Sequence, residues 1–265
     1  MRAADIAPRS TSHLSLDEAR RYWESDRSLT ALLIFLVFSV FIADPLSDIG
    51  VPGHVLLAVA FTAVLLSGVL TIAKSRTTLV LFSIVAVGSL VVHWERLITQ
   101  DSRLNVADAL SSLLALGLLA VVVLLQVFRE GPITVHRIQG AISVYLLLGL
   151  MWAAVFALVY LNDPQSFSFA ALPQSTLPVI RARFVYFSFT TLTTVGYGDI
   201  TAVSPIARSL AMLEAVTGQL FPAILIARLV SMEIYYRQRR FEREQAALDR
   251  EELAREVARV LREQT

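Results

Sequence analysis

Polar and apolar residues fall in long blocks along this 265-residue chain, not in the short alternations of a water-soluble fold. Five stretches carry no Asp, Glu, Lys or Arg: 28–43, 49–73, 77–94, 109–128 and 138–162, with lengths of 16, 25, 18, 20 and 25 residues. A hydrocarbon core of about 30 Å takes about 20 helical residues at about 1.5 Å each, so these runs predict membrane helices. The first is placed over 26–43, with Arg27 snorkelling to the interface and Asp44-Pro45 ending it. The second covers 53–73 and stops at Lys74-Ser75-Arg76. The third covers 77–94, with Trp94 as an interfacial anchor. The fourth covers 107–128 and closes on Arg129-Glu130-Gly131-Pro132. A short amphipathic connector at 133–140 leads into the fifth, 141–161, which ends at Asn162-Asp163-Pro164.

The pattern then changes. Residues 162–180 hold Pro164, Pro173 and Pro178 among many polar residues and read as an external loop. An aromatic, helix-compatible stretch follows at 181–192. It is too short to span a bilayer and runs into a Gly-x-Gly turn, with a further helix at 205–236. A half-length helix that enters and returns on one side is a re-entrant loop, and irregular backbone at that depth survives only where it lines water or is buried in protein.

Composition fits this outline: 55% of residues are hydrophobic, 17% are charged, and the mean hydropathy is +0.63. Soluble domains are nearer 25% charged, so a soluble enzyme with one large core is excluded. A net charge of +1 leaves no general footprint for nucleic acid, and the absence of Cys excludes disulfides and thiolate chemistry. His13, His54, His93 and His136 lack ligand spacing and read as ordinary loop or helix-end histidines. The polar N-terminus carries Arg2, Arg9, Arg20, Arg21 and Arg27 before any apolar run, which is not the pattern of a cleaved signal peptide. With a cytoplasmic N-terminus, nine Lys and Arg fall in inside segments up to Arg137 and four (Arg96, Arg103, Arg181, Arg183) outside. The positive-inside rule therefore predicts a multi-pass plasma-membrane protein with both termini cytoplasmic.

The chemistry sits at Thr193-Thr194-Val195-Gly196-Tyr197-Gly198-Asp199, which resembles the signature sequence of the potassium-channel family. A dehydrated K⁺ needs oxygens in place of its water shell, and stacked backbone carbonyls supply them. Gly196 and Gly198 accept positive φ, which lets successive carbonyls turn to one axis. The resemblance implies ion sites at the carbonyls of Thr194, Val195, Gly196 and Tyr197, with the Thr194 hydroxyl at the inner end. It implies that the Val195 and Tyr197 side chains pack behind the filter, with Thr191, Thr193 and Asp199 in support and Thr191 available to the Tyr197 hydroxyl. A pore helix at 181–192 would aim its negative end at the central cavity. Phe187 and Thr190 stand where relatives often carry an indole donor and a carboxyl, so Asp199 needs another partner. The likeness covers about 138–236. One signature per chain implies a homotetramer, and no phosphate-binding loop is expected because no Lys-Ser or Lys-Thr follows.

The last helix adds Arg208, Glu214, Arg228 and Glu233, and charges at membrane depth face a cavity or each other. Gly218 lies 20 residues after Gly198, at the hinge-glycine position of the family. Pro222 removes the N–H that would bond the Gly218 carbonyl, so a kink is expected there, either a moving gate or a bend fixed by packing. The fourth helix, 109–128, has no Lys or Arg, and the second and third offer no buried acid, since Asp48 and Glu95 lie at ends. Strong voltage gating is therefore not expected. The tail, 237–265, is rich in Arg and acids around Ala246, Leu253, Val257, Val260 and Leu261. It reads either as a solvated helix or as a four-stranded bundle continuing the pore helices.

The expected fold class is an all-α membrane protein. It comprises a cytoplasmic N-terminus (1–25), a peripheral four-helix domain (26–128), a connector (129–140), a two-helix re-entrant pore module (141–236) and a C-terminal cytoplasmic helix (237–265). The expected function is passive K⁺ transport by a homotetramer that is not an enzyme, in contact with membrane lipids. No cofactor is expected beyond the permeating K⁺, and no soluble regulatory domain is evident. The alternative is a poorly conducting membrane sensor or scaffold that keeps the pore fold.

Overall fold

A computed structural model describes residues 28–43, 53–72, 76–128, 134–170 and 177–263. Seven helices account for nearly all of them: α1 (Ser28–Ala43), α2 (Gly53–Ile72), α3 (Arg76–Thr99), α4 (Leu104–Val127), α5 (Val135–Asn162), α6 (Leu177–Leu192) and α7 (Pro205–Glu263). Among the described residues, α3, α4, α5 and the Pro205–Arg255 part of α7 are long and apolar enough to cross a membrane, whereas α1 and α2 are shorter apolar helices. The last turn of α1 widens to a π-helix over Ser39–Ala43. Leu70, Ile84, Leu114 and Leu125 point outward and stay exposed, as lipid-facing positions do.

Several boundaries differ from the sequence expectation. Helix α3 continues past Trp94 through Glu95 and Arg96 to Thr99, and α4 begins at Leu104, before the expected 107. Charge did not end either helix, because Arg96 and Asp108 find each other inside the bundle. The connector expected at 133–140 is helical from Val135 onward and forms the first turns of α5. Helix α6 starts four residues early, with Pro178 in its first turn, where the missing N–H costs nothing. Helix α7 runs unbroken through Pro222 and on into the expected tail, so no helix end separates 236 from 237.

The loop before α6 is not wholly irregular. Asp163 caps a 3-10 turn at Pro164–Ser166, its carboxylate accepting from the Gln165 N–H (3.1 Å) and the Ser166 hydroxyl (2.9 Å). Strand β1 (Phe167–Phe169) then pairs antiparallel with β2 (Ile200–Ala202) in the register Phe167 to Ala202, Ser168 to Thr201 and Phe169 to Ile200. Among the described residues this small sheet is the one departure from an all-α chain, and it ties the approach to α6 to the segment leaving the Gly-x-Gly turn.

Two apolar clusters hold the helices. The larger is built from α1 to α5 around Leu32, Leu36, Leu65, Phe82, Leu119 and Leu147, all fully buried. The smaller lies under the β-pair, where Phe156, Phe167, Phe184 and Phe187 meet with ring centroids 4.9 to 5.8 Å apart and mostly edge to face. That geometry suits the ring quadrupoles. Phe187 is thus a buried core residue, which explains an apolar ring at this position.

Candidate functional site

The signature residues follow α6 directly. The helix ends in capping bonds from Thr193 N–H to the Phe189 carbonyl (3.1 Å) and from Thr194 N–H to the Thr191 carbonyl (2.9 Å). The Thr193 hydroxyl also donates to the Phe189 carbonyl at 2.6 Å. Val195 and Gly196 then both direct their N–H groups at the Thr190 carbonyl, at 2.9 and 3.2 Å. The first part of the segment is therefore fastened by its donors to the end of the helix.

The backbone alternates in hand. Thr194, Gly196 and Gly198 have φ of +60°, +55° and +81°, while Val195 and Tyr197 between them do not enter the positive region. Alternation of this kind aims successive N–H groups to one side, as the shared Thr190 acceptor of Val195 and Gly196 shows. Glycine accepts positive φ freely at 196 and 198. Thr194 is β-branched, and a left-handed φ there costs of order 1–3 kcal/mol, which is held only if the surroundings enforce it. Part of that enforcement is Gln219 on α7, whose Nε2 donates to the Thr194 hydroxyl at 3.3 Å. Sequence reasoning did not single out Gln219, although its place beside Gly218 puts it on the same turn of α7.

The Tyr186 ring on α6 stacks on Tyr197 at 6.4 Å and 3°. The Asp199 carbonyl accepts from Ala170 N–H at 2.8 Å, which ties the segment to the loop after β1. Val195 and Tyr197 are exposed in the single chain, and Thr191 carries the capping carbonyl of the turn to Thr194.

Helix α7 closes on α6 through Glu214 and, one turn on, the adjacent Gly218 and Gln219. Glu214 is fully buried, and the Ser188 hydroxyl lies 2.5 Å from its Oε1 and 2.7 Å from the Gly149 carbonyl on α5. Gly218 comes next. A methyl group there would stand 1.9 Å from the Leu192 carbonyl oxygen and 2.7 Å from its carbon, so only glycine fits against the end of α6. Gln219 reaches Thr194, as above. The other charges of this helix do not pair with one another across a cavity: Arg208 Nε donates to the Ala202 carbonyl (3.3 Å), Arg228 lies 4.4 Å over the Phe128 ring, and Glu233 pairs with Arg237 (2.9 Å).

A second polar cluster joins the first helices to α6. Asp108 on α4 is fully buried. Its Oδ1 meets His93 Nδ1 at 2.8 Å, and its Oδ2 is shared by Arg96, 2.8 Å away, and by Arg181 in the first turns of α6. The Arg96 Nε–H is not aimed at that oxygen, so its pairing is one of charge and not a hydrogen bond. One expectation is corrected here: His93 is no ordinary helix-end histidine. The buried acid lies on the fourth helix, not on the second or third, and Glu95 on the third is exposed. Asp108 was overlooked because it bounds an uncharged run and so looks like a helix end.

Residues 174–234 match a family model described as an ion channel. The match begins just before α6 and ends within α7, so it takes in the capped turn, the alternating backbone and Gly218. No curated protein matches the chain. The chain is thus a membrane protein carrying an ion-channel domain, with ion transport as its coarse function.

Proposed function

We propose that this chain is one subunit of a homotetrameric, K⁺-selective channel of the plasma membrane, with both termini cytoplasmic. The observation that carries the reading is the alternation of φ at Thr194, Gly196 and Gly198 at the end of a half-length helix. Carbonyls of Thr194, Val195, Gly196 and Tyr197 would replace the water shell of K⁺, with the Thr194 hydroxyl below them, and ions would pass by knock-on between neighbouring sites. Transport is passive and involves no covalent chemistry.

Assembly of four chains is supported by what one chain leaves open. Val195 and Tyr197, and Met212, Val216 and Leu220 on α7, are exposed. A lone subunit would present these, with unpaired filter carbonyls, to lipid, and unpaired backbone in hydrocarbon costs several kcal/mol per group. Exposed Phe241, Leu248, Leu253 and Leu261 along the end of α7 suit a bundle that extends the same assembly. In this reading helices α1 to α4 form the peripheral domain and α5 to α7 the pore module. Voltage dependence is weak, because α4 carries no Lys or Arg and Arg96 and Arg181 are pinned to Asp108. Gly218 and Pro222 are the places on α7 where a gate would bend.

The test is ion flux into vesicles containing the purified protein. Uptake of K⁺ well above that of Na⁺, and lost in Gly196→Ala, supports the reading. Equal uptake of both ions refutes selectivity. Absence of flux together with a monomeric mass in detergent favours the scaffold alternative.

A further inference from the structure

Between the first helices and α5 and α6 lies a chamber of about 110 Å³ with an open mouth. It has room for a short run of methylene groups, and a longer apolar group would extend out through the mouth. The walls are mostly apolar, with Leu57, Phe61, Val64, Leu116, Leu150 and Ala154 among them, and one end carries Arg96, Arg181, His93 and Ser112. The same two arginines also line a smaller adjoining cleft together with Asn105 and Asp108.

We propose that this chamber binds one anionic phospholipid per chain, its phosphate on Arg96 and Arg181, the start of one acyl chain in the apolar part and the remainder outside the mouth. Charge balance is the first reason. Asp108 is the one carboxylate among the described residues paired with either arginine, so two guanidinium charges face a single negative charge, whatever the state of His93. Excess charge held away from water is costly, and an anion relieves it. Each guanidinium has five N–H donors in a planar fork suited to phosphate, and Asp108 occupies few of them. The second reason is independent: Ser112 is 2% exposed, lines the chamber, and its hydroxyl has no hydrogen-bond partner. A buried hydroxyl of this kind normally has one. The third is the wall itself, since a free phosphate would leave the apolar part unfilled, whereas the first carbons of an acyl chain fill it.

The site bridges α3 and α4 to the first turns of α6, so its occupant touches both the outer helices and the helix that carries the filter. Binding does not depend on whether the pore conducts, and it is read without current.

The experiment is native mass spectrometry of the full chain, purified in a neutral detergent and titrated with phosphatidylglycerol, phosphatidylcholine or inorganic phosphate. Saturable uptake of one phosphatidylglycerol per chain is expected, at least about tenfold tighter than phosphatidylcholine, as charged hydrogen bonds would give. Inorganic phosphate should not displace it. Arg181→Gln should weaken uptake about tenfold, and Ala154→Phe, which fills the chamber and keeps every charge, should abolish it. Ser112→Ala, the mildest change, should weaken it several-fold and serves if the others fail to fold. Equal uptake of the two lipids overturns the proposal. So does displacement by phosphate, which would leave a headgroup-only anion site, and so does uptake indifferent to all three substitutions.

Discussion

Gly218→Ala separates a packing role from a hinge role at the centre of α7. The added methyl carbon would lie 1.9 Å from the Leu192 carbonyl oxygen. Carbon and oxygen approach no closer than about 3.3 Å in ordinary contacts, so α7 and the end of α6 must part by about 1.4 Å. The obstructing atoms belong to backbone and cannot rotate away. Overpacking of this kind costs about 1–3 kcal/mol, against a gain of about 0.8–1 kcal/mol from replacing glycine inside a helix. The net expectation is a loss of stability. It should come with a change in ion selectivity, because Leu192 leads directly into Thr193 and Thr194 and Gln219 sits on the same turn. Unfolding of the purified protein in detergent, followed by circular dichroism, reads the first effect, and vesicle flux reads the second. If Gly218 served only to bend, alanine would raise the unfolding midpoint by stiffening the helix. A midpoint at or above that of the unsubstituted protein refutes the close approach.

Asp108→Asn should destabilise by about 3–5 kcal/mol, since it leaves Arg96 and Arg181 together without their shared carboxylate, whereas Arg103→Gln at the exposed start of α4 should change little. The unfolding midpoints of the two variants, compared side by side, check this. Ser188→Ala should cost about 1–3 kcal/mol by leaving the buried Glu214 carboxyl without a donor, and Ser188→Thr should recover part of it; denaturation in detergent measures both. Gly196→Ala meets no atom within 4 Å, so its penalty of about 1–2 kcal/mol is in backbone conformation, and it should reduce K⁺ flux while leaving helix content unchanged. Gln219→Leu removes the bond to the Thr194 hydroxyl and should lower the K⁺ over Na⁺ flux ratio without abolishing flux.

The helices were legible in the sequence because the bilayer imposes a length, and an uncharged run of that length has few other uses. Positive φ at Gly196 and Gly198 was legible because glycine adopts it freely, and both have it. Positive φ at Thr194 was not legible, since threonine resists it and only the bonds to Thr191 and Gln219 make it tenable. The polar core was also hidden. His93, Arg96, Asp108 and Arg181 stand far apart in sequence and near helix ends, where charges ordinarily meet water, and only the packing of α3, α4 and α6 makes them one cluster. Ser188, one hydroxyl in an apolar helix, was not singled out, whereas Glu214 was noted as a charge at membrane depth and its partner is the Ser188 hydroxyl. The β1–β2 pair escaped notice because three residues carry no usable alternation.

The reversal potential of the purified protein in a planar bilayer tests the central claim most directly. With a tenfold K⁺ gradient and Na⁺ replacing the missing K⁺, a selective filter should reverse near the K⁺ limit of about 59 mV, with open probability flat across voltage. Reversal near zero would mean that the alternating backbone at 194–198 does not select K⁺, and the reading of these residues as a K⁺ filter would fall.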